Sequence, residues 1–540
     1  MMDAFPAWTW DIPEFFNIGA ACTDAHLGTP IADRVAMVID NDLLGDRQLT
    51  FAELAEQTSR FAQLLRDLGV DRGDRVLIRL PNCIQFPTVF LGAAKRGAIA
   101  VPTSSLLTEE EVVHIVTDCG AHVLVTDRPT WNGMHLALEQ VGSLTHVLLA
   151  GRGETVCGAR LRVVDLEPAL ASIHHWQAAH PTRAEDPAYL VYTSGTTGYP
   201  KGVLHAHRAL LGRQPSSTYW FHFRPEGDRV LHSGRFNWTY VLGSGMMDPL
   251  YRGHTAIVHE GTRDAAIWPH LIAKHEAMTF IGVPTLYRQI VQHTPFGRAY
   301  VPSLRHCMCA GEHLSEEVLT AWRARFGLDI YEGLGMTECS YYLCQTKSRP
   351  VRPGSCGFAQ PGHEVKLLDP DSWREVAPGK EGMLCIPRND PGLMLGYWNQ
   401  PEETERCFQD DWFLTGDYFR RDLDGYFWFL GRRDDLINTF GYRVSPHEIE
   451  RVLKDHPEVA DAAAVGEEVA ADKVVVSAYV ILRPGATRSA DELIAYGGRR
   501  LASYKAPRII YVVDDFPRTH NGKIQRQALS PAHARVRSRS

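Results

Sequence analysis

Residues 192–202 constrain this chain more than any other segment. Their sequence is YTSGTTGYPKG, and they directly follow a short apolar run at 188–191. Three glycines allow the backbone to turn tightly and to bring its N–H groups close to an anion, while hydroxyl groups and an amine add further donors. The segment therefore predicts a phosphate-binding loop. The residues expected to contact the phosphates are Thr193, Ser194, Gly195, Thr196, Thr197, Gly198 and Lys201.

This loop differs from a Walker loop, in which Gly, four residues and Gly-Lys-Ser/Thr lead into a helix. Here Tyr199 and Pro200 stand between Gly198 and Lys201. A flexible surface loop rich in small polar residues is the alternative interpretation. The length and order of the pattern favour the phosphate-binding loop, which then requires matching motifs elsewhere in the chain.

Composition excludes several classes of protein. The chain has 540 residues, 44% of them hydrophobic and 22% charged, so it is too long for one compact core and two or more domains are expected. A formal net charge of −8 gives no bias toward nucleic acid. Eleven cysteines without a Cys-x-x-Cys pair predict a cytoplasmic protein. No apolar run reaches the roughly 18–20 residues of a membrane helix, so integral membrane association is not expected.

Hydrophobic periodicity predicts an α/β fold. Segments with helical spacing alternate with short apolar runs, with helices expected at 49–68, 86–94 and 112–117 and strands at 75–80, 98–101, 122–125, 256–259 and 278–284. Such alternation is typical of largely parallel sheets whose strands are buried on both faces.

Further motifs follow the loop. Residues 309–314 read CAGEHL, residues 331–338 read YEGLGMTE, and residues 412–417 read WFLTGD. The segment GRRDDLINTFGYRV at 431–444 precedes PRTHNGKI at 517–524. Together with the opening loop, these motifs resemble the adenylate-forming superfamily. Within that superfamily, the chain looks most similar to medium-chain acyl-CoA synthetases and benzoate-type aryl-CoA ligases.

The resemblance implies an ATP site on these motifs. Thr337 would lie near the phosphates, and Glu338 would hold Mg²⁺, for which a carboxylate is a suitable ligand. Asp417 would accept hydrogen bonds from both ribose hydroxyls. Lys523 would stabilise the charge that develops on the α-phosphate. The implied catalytic residues are Lys523, Glu338, Thr193 and Lys201. The other residues assigned to ATP or AMP are Gly311, Glu312, His313, Glu332, Gly333, Leu334, Met336 and Arg432. Leu334 stands where many members have a tyrosine that stacks on adenine.

Residues 236–243, FNWTYVLG, resemble the stretch that borders the carboxylate substrate in this family. The acyl pocket is therefore expected to be formed by Asn237, Trp238, Tyr240 and Gly335. The alternative interpretation is that the two aromatic residues belong to the core. Amino-acid-adenylating members generally place an aspartate in this stretch, because a buried substrate ammonium needs a counter-charge. Asn237 is neutral, so α-amino acids are disfavoured.

Two domains are expected. A large N-terminal domain of α/β subdomains would span residues 1–433, and a small mobile C-terminal α/β domain would span 434–540. The smaller domain has a helical pattern at 446–454, strand patterns near 461–465 and 474–482, and a second helical pattern near 490–501. By resemblance, Asp434 would be the hinge and Gly441, Tyr442 and Arg443 would bind CoA. Because Lys523 serves the first half-reaction and Gly441 the second, the domain is expected to rotate between them.

His205 and His207 offer a competing possibility. Two residues apart, they could present two metal ligands from a strand. No third or fourth ligand lies nearby in the sequence, so a zinc site is disfavoured.

The resemblance implies an AMP-forming acid:CoA ligase. A carboxylic acid and ATP would give an acyl adenylate and pyrophosphate, and the thiol of CoA would then displace AMP. Medium-chain, alicyclic and aromatic acids remain open, because a single sequence does not fix the side-chain directions in the acyl pocket. One alternative loads a carrier-protein pantetheine, and another is a catalytically silent nucleotide-binding protein. Partners are expected to be the acid, ATP with Mg²⁺, and CoA, with a homodimer left open.

Overall fold

The computed structural model describes residues 5, 7–42, 45–193, 200–311, 314–432, 437–439, 442–470, 473–501, 505–518 and 524–530. The chain forms two compact units, one from residues 1–364 and 387–412 and the other from 365–386 and 413–540. Both mix sheets with helices, which confirms the predicted α/β class. Residues 365–386 and 413–432 thus cluster with the C-terminal residues. The boundary at 433/434, about which the smaller domain would move, stays a prediction.

The elements within these ranges are as follows. The α-helices are α1 (Ile18–Ala21), α2 (Phe51–Asp67), α3 (Gln85–Arg96), α4 (Glu109–Cys119), α5 (Arg128–Leu138), α6 (Leu166–Ala171), α7 (Gln214–Tyr219), α8 (Thr239–Leu242), α9 (Asp248–Tyr251), α10 (Ile267–Lys274), α11 (Pro284–His293), α12 (Glu316–Phe326), α13 (Pro401–Arg406), α14 (Pro446–Lys454) and α15 (Ala490–Gly498). Turns of 3-10 helix lie at Asp24–His26, His207–Arg213, Arg298–Tyr300 and Arg526–Ala528, and a π-helical turn lies at Gly243–Met247.

The strands of the first half are β1 (Val35–Asn41), β2 (Arg47–Thr50), β3 (Arg75–Arg79), β4 (Ile99–Pro102), β5 (Val123–Asp127), β6 (His146–Ala150), β7 (Arg162–Asp165), β8 (Pro187–Thr193), β9 (Lys201–Ala206), β10 (Arg229–His232), β11 (Thr255–Glu260), β12 (Thr279–Gly282) and β13 (His306–Cys309). Those of the second half are β14 (Ile330–Gly335), β15 (Tyr341–Cys344), β16 (Phe358–Ala359), β17 (Lys366–Leu368), β18 (Glu381–Pro387), β19 (Gly396–Tyr397), β20 (Phe408–Gln409), β21 (Trp412–Arg421), β22 (Phe427–Arg432), β23 (Ile437–Thr439), β24 (Tyr442–Val444), β25 (Val459–Ala470), β26 (Lys473–Leu482) and β27 (Ile509–Val513).

The predicted helices form where capping residues define their ends. Thr50 and Glu53 make a reciprocal capping box at the start of α2. Gly97 ends α3 in the left-handed region, with φ of 78°, which glycine adopts without steric cost. The helix predicted at 446–454 is α14, with the same bounds.

Two sheets form the frame of the first unit. One has nine strands in the order β16-β15-β14-β13-β12-β10-β11-β1-β2, and its six central strands run parallel. The other has eight strands in the order β19-β9-β8-β4-β3-β5-β6-β7, parallel from β8 to β7. The prediction of largely parallel sheets is therefore confirmed, and antiparallel strands are added at the edges.

Side-chain alternation along the strands creates separate cores in this unit. Met37 in β1 and Val76 in β3 share a core with Phe61 and Phe90 from α2 and α3, so these two helices lie between the sheets. Val38, the neighbour of Met37, points to the opposite face and packs with α10, α11 and α12. Parallel strands buried on both faces bring their carboxyl ends to one edge, where ligand sites usually form.

The second unit has smaller sheets. Strand β17 pairs antiparallel with β18, and β21 with β22. Strands β25 and β26 are antiparallel, and β27 adds to them in parallel. Leu453 from α14 and Leu493 from α15 belong to the hydrophobic core of this three-stranded sheet.

Candidate active site

The loop that the sequence singles out joins two antiparallel strands. Thr193 ends β8, Lys201 begins β9, and these two residues pair across the hairpin. The connection is thus strand–loop–strand, unlike the strand–loop–helix of a Walker motif. Residues 194–199, which include the predicted Ser194, Gly195, Thr196, Thr197 and Gly198, lie outside the described residues.

Lys201 has a carboxylate and an aromatic ring beside it. Its Nζ lies 2.5 Å from Oε1 of Glu403 and 5.6 Å from the centre of the Tyr397 ring. The two charged side chains are 17% and 33% exposed, so the ion pair is partly accessible to solvent. The hydrogen bond from Lys201 lowers the pKa of Glu403 below its ordinary value.

Glu338 lies in the turn that connects β14 and β15. A side chain at Gly335 would place Cβ 1.8 Å from the carbonyl oxygen of Ser340, so only glycine permits this turn. The hydroxyl of Tyr397 donates to Oε1 of Glu338 over 2.8 Å. Burial raises the pKa of Tyr397, which keeps this phenol a donor. Among the described residues, Tyr397 is the sole hydrogen-bond donor to the Glu338 carboxylate, which leaves Oε2 able to bind a cation such as Mg²⁺.

Thr337 is fixed by its neighbours on both sides. Its hydroxyl lies 3.2 Å from that of Thr239, and its carbonyl oxygen lies 2.7 Å from Nε2 of His205. Since a carbonyl can only accept, Nε2 of His205 carries the proton. Burial lowers the pKa of His205 to about 3, so this imidazole is neutral.

The two histidines do not form a metal pair. His205 is the fifth residue of β9, whereas His207 begins the following 3-10 helix. Nδ1 of His207 accepts a hydrogen bond from the N–H of Ile18, and burial lowers the pKa of His207 to about 3. Both rings therefore have structural partners.

Residues predicted for the acyl pocket and for adenine come together at the ends of β13 and β14. The ring of Trp238 lies so close to Gly311 that a Cβ there would be 3.0 Å from it, and φ of Gly311 is 89°. Tyr240 contacts Trp238 edge to face, with ring centres 5.2 Å apart. Among the described residues, the buried Tyr240 hydroxyl has no hydrogen-bond partner. Asn237 and Leu334 are half-buried.

Two further predicted nucleotide residues occupy special positions on β14. A Cβ at Gly333 would be 2.3 Å from Trp220, so this glycine is required by close packing. Glu332 is buried, and burial raises its pKa to about 8. The N–H of Leu314 donates weakly to Glu332 over 3.4 Å, and the N–H of Met336 donates to the Ser340 carbonyl at 3.0 Å.

The second unit holds the predicted ribose residues. Asp417 in β21 and Arg432 in β22 are direct cross-strand partners, and Nε of Arg432 donates to Oδ1 of Asp417 over 3.1 Å. Arg432 is exposed and Asp417 is buried. A bound ribose would therefore meet a carboxylate whose orientation the arginine already fixes.

Several predicted residues cannot be placed. Glu312, His313, Asp434, Gly441 and Lys523 lie outside the described residues. The backbone of Tyr442 and Arg443 forms the start of β24.

Sequence reasoning missed two residues of this site. Tyr397 and Glu403 contact Glu338 and Lys201, yet neither belongs to a motif singled out from the sequence. The available signal was the helix start at Pro401-Glu402-Glu403, where proline and acidic residues favour a first turn. Its position beside β9 depends on pairing between segments far apart in the chain.

This arrangement defines a class of protein. A glycine-rich hairpin with a lysine at its end, beside a turn that presents Thr337 and Glu338, suits an enzyme that binds a nucleotide triphosphate and a second substrate. The chain belongs to the AMP-binding enzyme family, whose model matches residues 27–398, and residues 448–523 match the AMP-binding enzyme C-terminal domain.

Known relatives are CoA ligases. The chain is 36% identical over 534 residues to the benzoate–CoA ligase of Thauera aromatica, covering 96% of this chain and 97% of that protein. The crystal structure of the anthranilate CoA ligase AuaEII with anthranoyl-AMP has a TM-score of 0.85 and 29% identity, covering 96% and 97% of the two chains. The benzoate CoA ligase from Burkholderia xenovorans LB400 has a TM-score of 0.82 and 31% identity, covering 95% and 99%.

The family and relatives establish the reaction. This chain is an AMP-forming acid–thiol ligase of the adenylate-forming superfamily, which activates a carboxylic acid as acyl-AMP and transfers the acyl group to CoA. It uses ATP and CoA as substrates together with the acid. No helix within the described ranges is long and apolar enough to cross a membrane.

Proposed function

We propose that this ligase acts on an aromatic carboxylic acid and binds the ATP phosphates at the amino end of β9. One observation carries the placement of the phosphates. Lys201 and Glu338 come from separate motifs, yet Tyr397 contacts both of them. A cation and a carboxylate held at one place are what a phosphate chain with a bridging metal ion requires.

In this proposal each motif contributes one part of the nucleotide site. Thr193, Thr337 and the loop 194–199 bind phosphate oxygens together with Lys201. Glu338 would hold Mg²⁺, which would supply positive charge to neutralise the phosphates. Asp417 and Arg432 bind the ribose. Adenine would be enclosed by Gly311, Glu312, His313, Glu332, Gly333, Leu334 and Met336.

The proposed acid is aromatic for two reasons. Trp238 and Tyr240 offer ring edges and faces beside Gly311, and aromatic pairs favour such offset or edge-to-face contacts. The relatives named above act on benzoate and anthranilate by their names. Asn237 and Gly335 would complete the pocket, and the absence of a carboxylate at Asn237 disfavours α-amino acids. Medium-chain and alicyclic acids are the alternative substrates.

Lys523, Asp434 and the residues Gly441, Tyr442 and Arg443 are proposed to separate the two half-reactions. Lys523 serves adenylation, Asp434 is the hinge, and the other three residues bind CoA. Lys523→Ala should slow acid-dependent pyrophosphate exchange on the order of 10²- to 10³-fold while thioester formation from preformed acyl-AMP persists. Asp434→Pro should leave pyrophosphate exchange intact and slow thioester formation, since proline fixes φ at a hinge. Equal losses in both half-reactions would remove these assignments.

The cellular setting is also proposed. None of the eleven cysteines forms a disulfide, and eight of them are buried, two are half-buried and one is exposed, which supports a reducing compartment such as the cytoplasm. A homodimer is the remaining proposal about partners, and sedimentation of the purified chain tests it.

The substrate proposal is tested with a panel of acids. ATP–pyrophosphate exchange is measured with benzoate, substituted benzoates, cyclohexanecarboxylate and straight-chain acids, followed by thioester formation with free CoA. We expect aromatic acids to give the highest kcat/KM, and Trp238→Ala to shift the preference gradually toward bulkier acids, because one methylene changes discrimination by only about 1–3 kcal/mol. A straight-chain optimum would overturn the aromatic assignment. A requirement for a carrier-protein thiol would overturn the acceptor.

A further inference from the structure

Residues 393–407 form a segment that borders both charged groups of the proposed phosphate site. Within it, β19 pairs antiparallel with β9, and the N–H of Trp398 donates to the carbonyl of Gly202 over 2.8 Å. The N–H of Met394 donates to the carbonyl of Glu338, also over 2.8 Å. The segment is thus hydrogen-bonded to the strand that begins with Lys201 and to the turn that contains Glu338.

The end of this segment is held in a defined position. Thr404 in α13 accepts a hydrogen bond from the N–H of Tyr397 over 2.9 Å, which ties the helix to β19. Glu403 therefore reaches Lys201 from a helix that is anchored to β19, the strand that pairs with β9. Oε2 of Glu403 lies 3.4 Å from Nη1 of Arg406, so the carboxylate has a second cationic neighbour.

The Lys201–Glu403 pair has the properties of an exchangeable contact. An ion pair between partly exposed side chains has a small net free energy, and a triphosphate presents more negative charge than one carboxylate. Lysine also binds as a point charge on a flexible stem, so its ammonium can change partners without a large backbone movement.

We propose that Glu403 and Tyr397 are positioning residues for this ligase. Glu403 forms an ion pair with the Lys201 ammonium until the β- and γ-phosphates of ATP take the place of the Glu403 carboxylate. Tyr397 orients the Glu338 carboxylate through its hydroxyl. This inference rests on the proposed role of Lys201 and Glu338 at the phosphates. It adds that ATP binding must displace a carboxylate of the enzyme itself.

The exchange predicts a difference between ligands that contain β- and γ-phosphates and ligands that do not. Glu403→Gln keeps the shape of the side chain but removes the competing charge. ATP and pyrophosphate should therefore bind about two- to five-fold more tightly to this variant, whereas AMP, which lacks those phosphates, should bind unchanged. Glu403→Asp retains the charge on a shorter side chain and should lie between the wild type and Glu403→Gln.

A matched control lies on the same helix. Glu405 in α13 pairs with Arg388 at 3.0 Å, and Glu405→Gln makes the same change in net charge without touching Lys201. Binding is measured by isothermal titration calorimetry with ATP, pyrophosphate and AMP. The exchange is supported if Glu403→Gln alone tightens ATP and pyrophosphate. It is overturned if Glu405→Gln has the same effect, if AMP tightens equally, or if Glu403→Gln weakens ATP.

Lys201→Ala separates this inference from the proposed function. If Lys201→Ala weakens ATP binding while Glu403→Gln leaves it unchanged, the exchange is wrong and the phosphate role of Lys201 stands. If Lys201→Ala leaves ATP binding unchanged, the phosphate role itself is wrong.

Tyr397 has its own readout. Tyr397→Phe removes the hydroxyl that orients Glu338, so the Mg²⁺ concentration that half-saturates ATP binding should rise several-fold, while AMP binding without metal stays constant. The control is Tyr511→Phe, because Tyr511 also donates to a carboxylate, Glu467, over 2.8 Å but lies in the second unit. Equal Mg²⁺ dependence in wild type and Tyr397→Phe would overturn the positioning role of Tyr397.

Discussion

Two ion pairs of the first unit differ in their access to water, one at the start of strand β9 and the other at Arg213, which ends the 3-10 helix after that strand. At its start, Lys201 and Glu403 are 17% and 33% exposed. Shortly after its end, Arg213 and Asp248 are 2% and 1% exposed, with Nε of Arg213 donating to Asp248 over 3.0 Å. Tyr341 donates a further hydrogen bond to Asp248 over 2.7 Å.

This difference in exposure indicates that the Arg213–Asp248 pair is a structural contact and that the Lys201–Glu403 pair is an exchangeable one. Two charges that are sealed in the interior depend on each other, because neither can be solvated if its partner is lost. Burial would lower the pKa of Arg213, but the adjacent Asp248 raises it above its ordinary value, so the guanidinium stays charged. Two charges at the surface can be solvated separately, so each is available to a ligand. Burial thus distinguishes the Arg213–Asp248 pair from the pair whose lysine we propose binds phosphate.

Breaking the sealed pair should have the largest effect on stability. Asp248→Asn leaves the Arg213 charge without a counter-ion and should cost about 3–5 kcal/mol of unfolding free energy. Chemical denaturation followed by tryptophan fluorescence measures the loss. Replacing both residues by apolar ones of similar volume, Arg213→Met with Asp248→Leu, should recover much of it. A loss below about 1 kcal/mol for Asp248→Asn would contradict the structural role.

Glu332 extends the comparison to a buried carboxyl that has no cationic partner within the part of the chain that the structure describes. Burial raises its pKa to about 8, so the folded protein binds more protons than the unfolded chain between about pH 4.5 and pH 8. Stability should therefore fall as the pH rises through this window. Glu332→Gln should remove that slope and raise stability above pH 8 by about 2 kcal/mol or more. If the unfolding free energies of the wild type and Glu332→Gln changed with pH in the same way, the assignment of Glu332 as a buried neutral carboxyl would be wrong.

Asp40 is a buried carboxylate that lies beside one lysine and two histidines. It is 2.7 Å from Nδ1 of His259, 2.8 Å from Nε2 of His275 and 2.5 Å from Nζ of Lys274. Burial would raise the pKa of Asp40 and lower that of His259. The hydrogen bonds between these groups instead lower the pKa of Asp40 and raise that of His259.

The signs of these shifts define a pH window. The contribution of His259 is fully present below its unfolded pKa of about 6.5 and is lost as the pH rises through the raised folded value. The contribution of Asp40 is present above about pH 4 and is lost at lower pH. His259→Gln should therefore cost about 1–2 kcal/mol near pH 5.5 and less at pH 8.5. A larger loss at the higher pH would contradict the assigned charges.

The open pair should have the smallest effect on stability. Glu403→Gln should change the unfolding free energy by less than about 1 kcal/mol, because the pair is partly solvated. Thermal melting beside Glu405→Gln measures this change. A loss comparable to that of Asp248→Asn would show that exposure does not distinguish the two pairs.

Local signals made much of the fold predictable. The bounds of α14 and the presence of α2 were predicted from apolar residues at helical spacing, and the structure adds the capping box that starts α2. The alternation of helix and strand predicted the parallel sheets. Edge strands were harder to predict from the sequence. Strand β19, for example, has two residues and is defined only by its pairing with β9.

Local signals also indicated candidate site residues, whose roles stay predictions. Motif order gave Lys201, Glu338 and Trp238, since these residues belong to continuous segments with their own turn chemistry. Tyr397 and Glu403 were missed because contacts between segments that are distant in the chain depend on the register of the whole sheet. The packing of Trp238 against Gly311 could not be predicted from the sequence for the same reason.

Acid-dependent ATP–pyrophosphate exchange by wild type and Lys201→Ala tests most directly whether the open end of β9 binds the phosphates of ATP. The assay is run with benzoate as the acid, together with melting curves and circular dichroism for both proteins. We predict that Lys201→Ala loses exchange on the order of 10²- to 10³-fold while its melting temperature stays close to that of the wild type. Exchange at the wild-type rate in a folded Lys201→Ala variant would contradict the phosphate site.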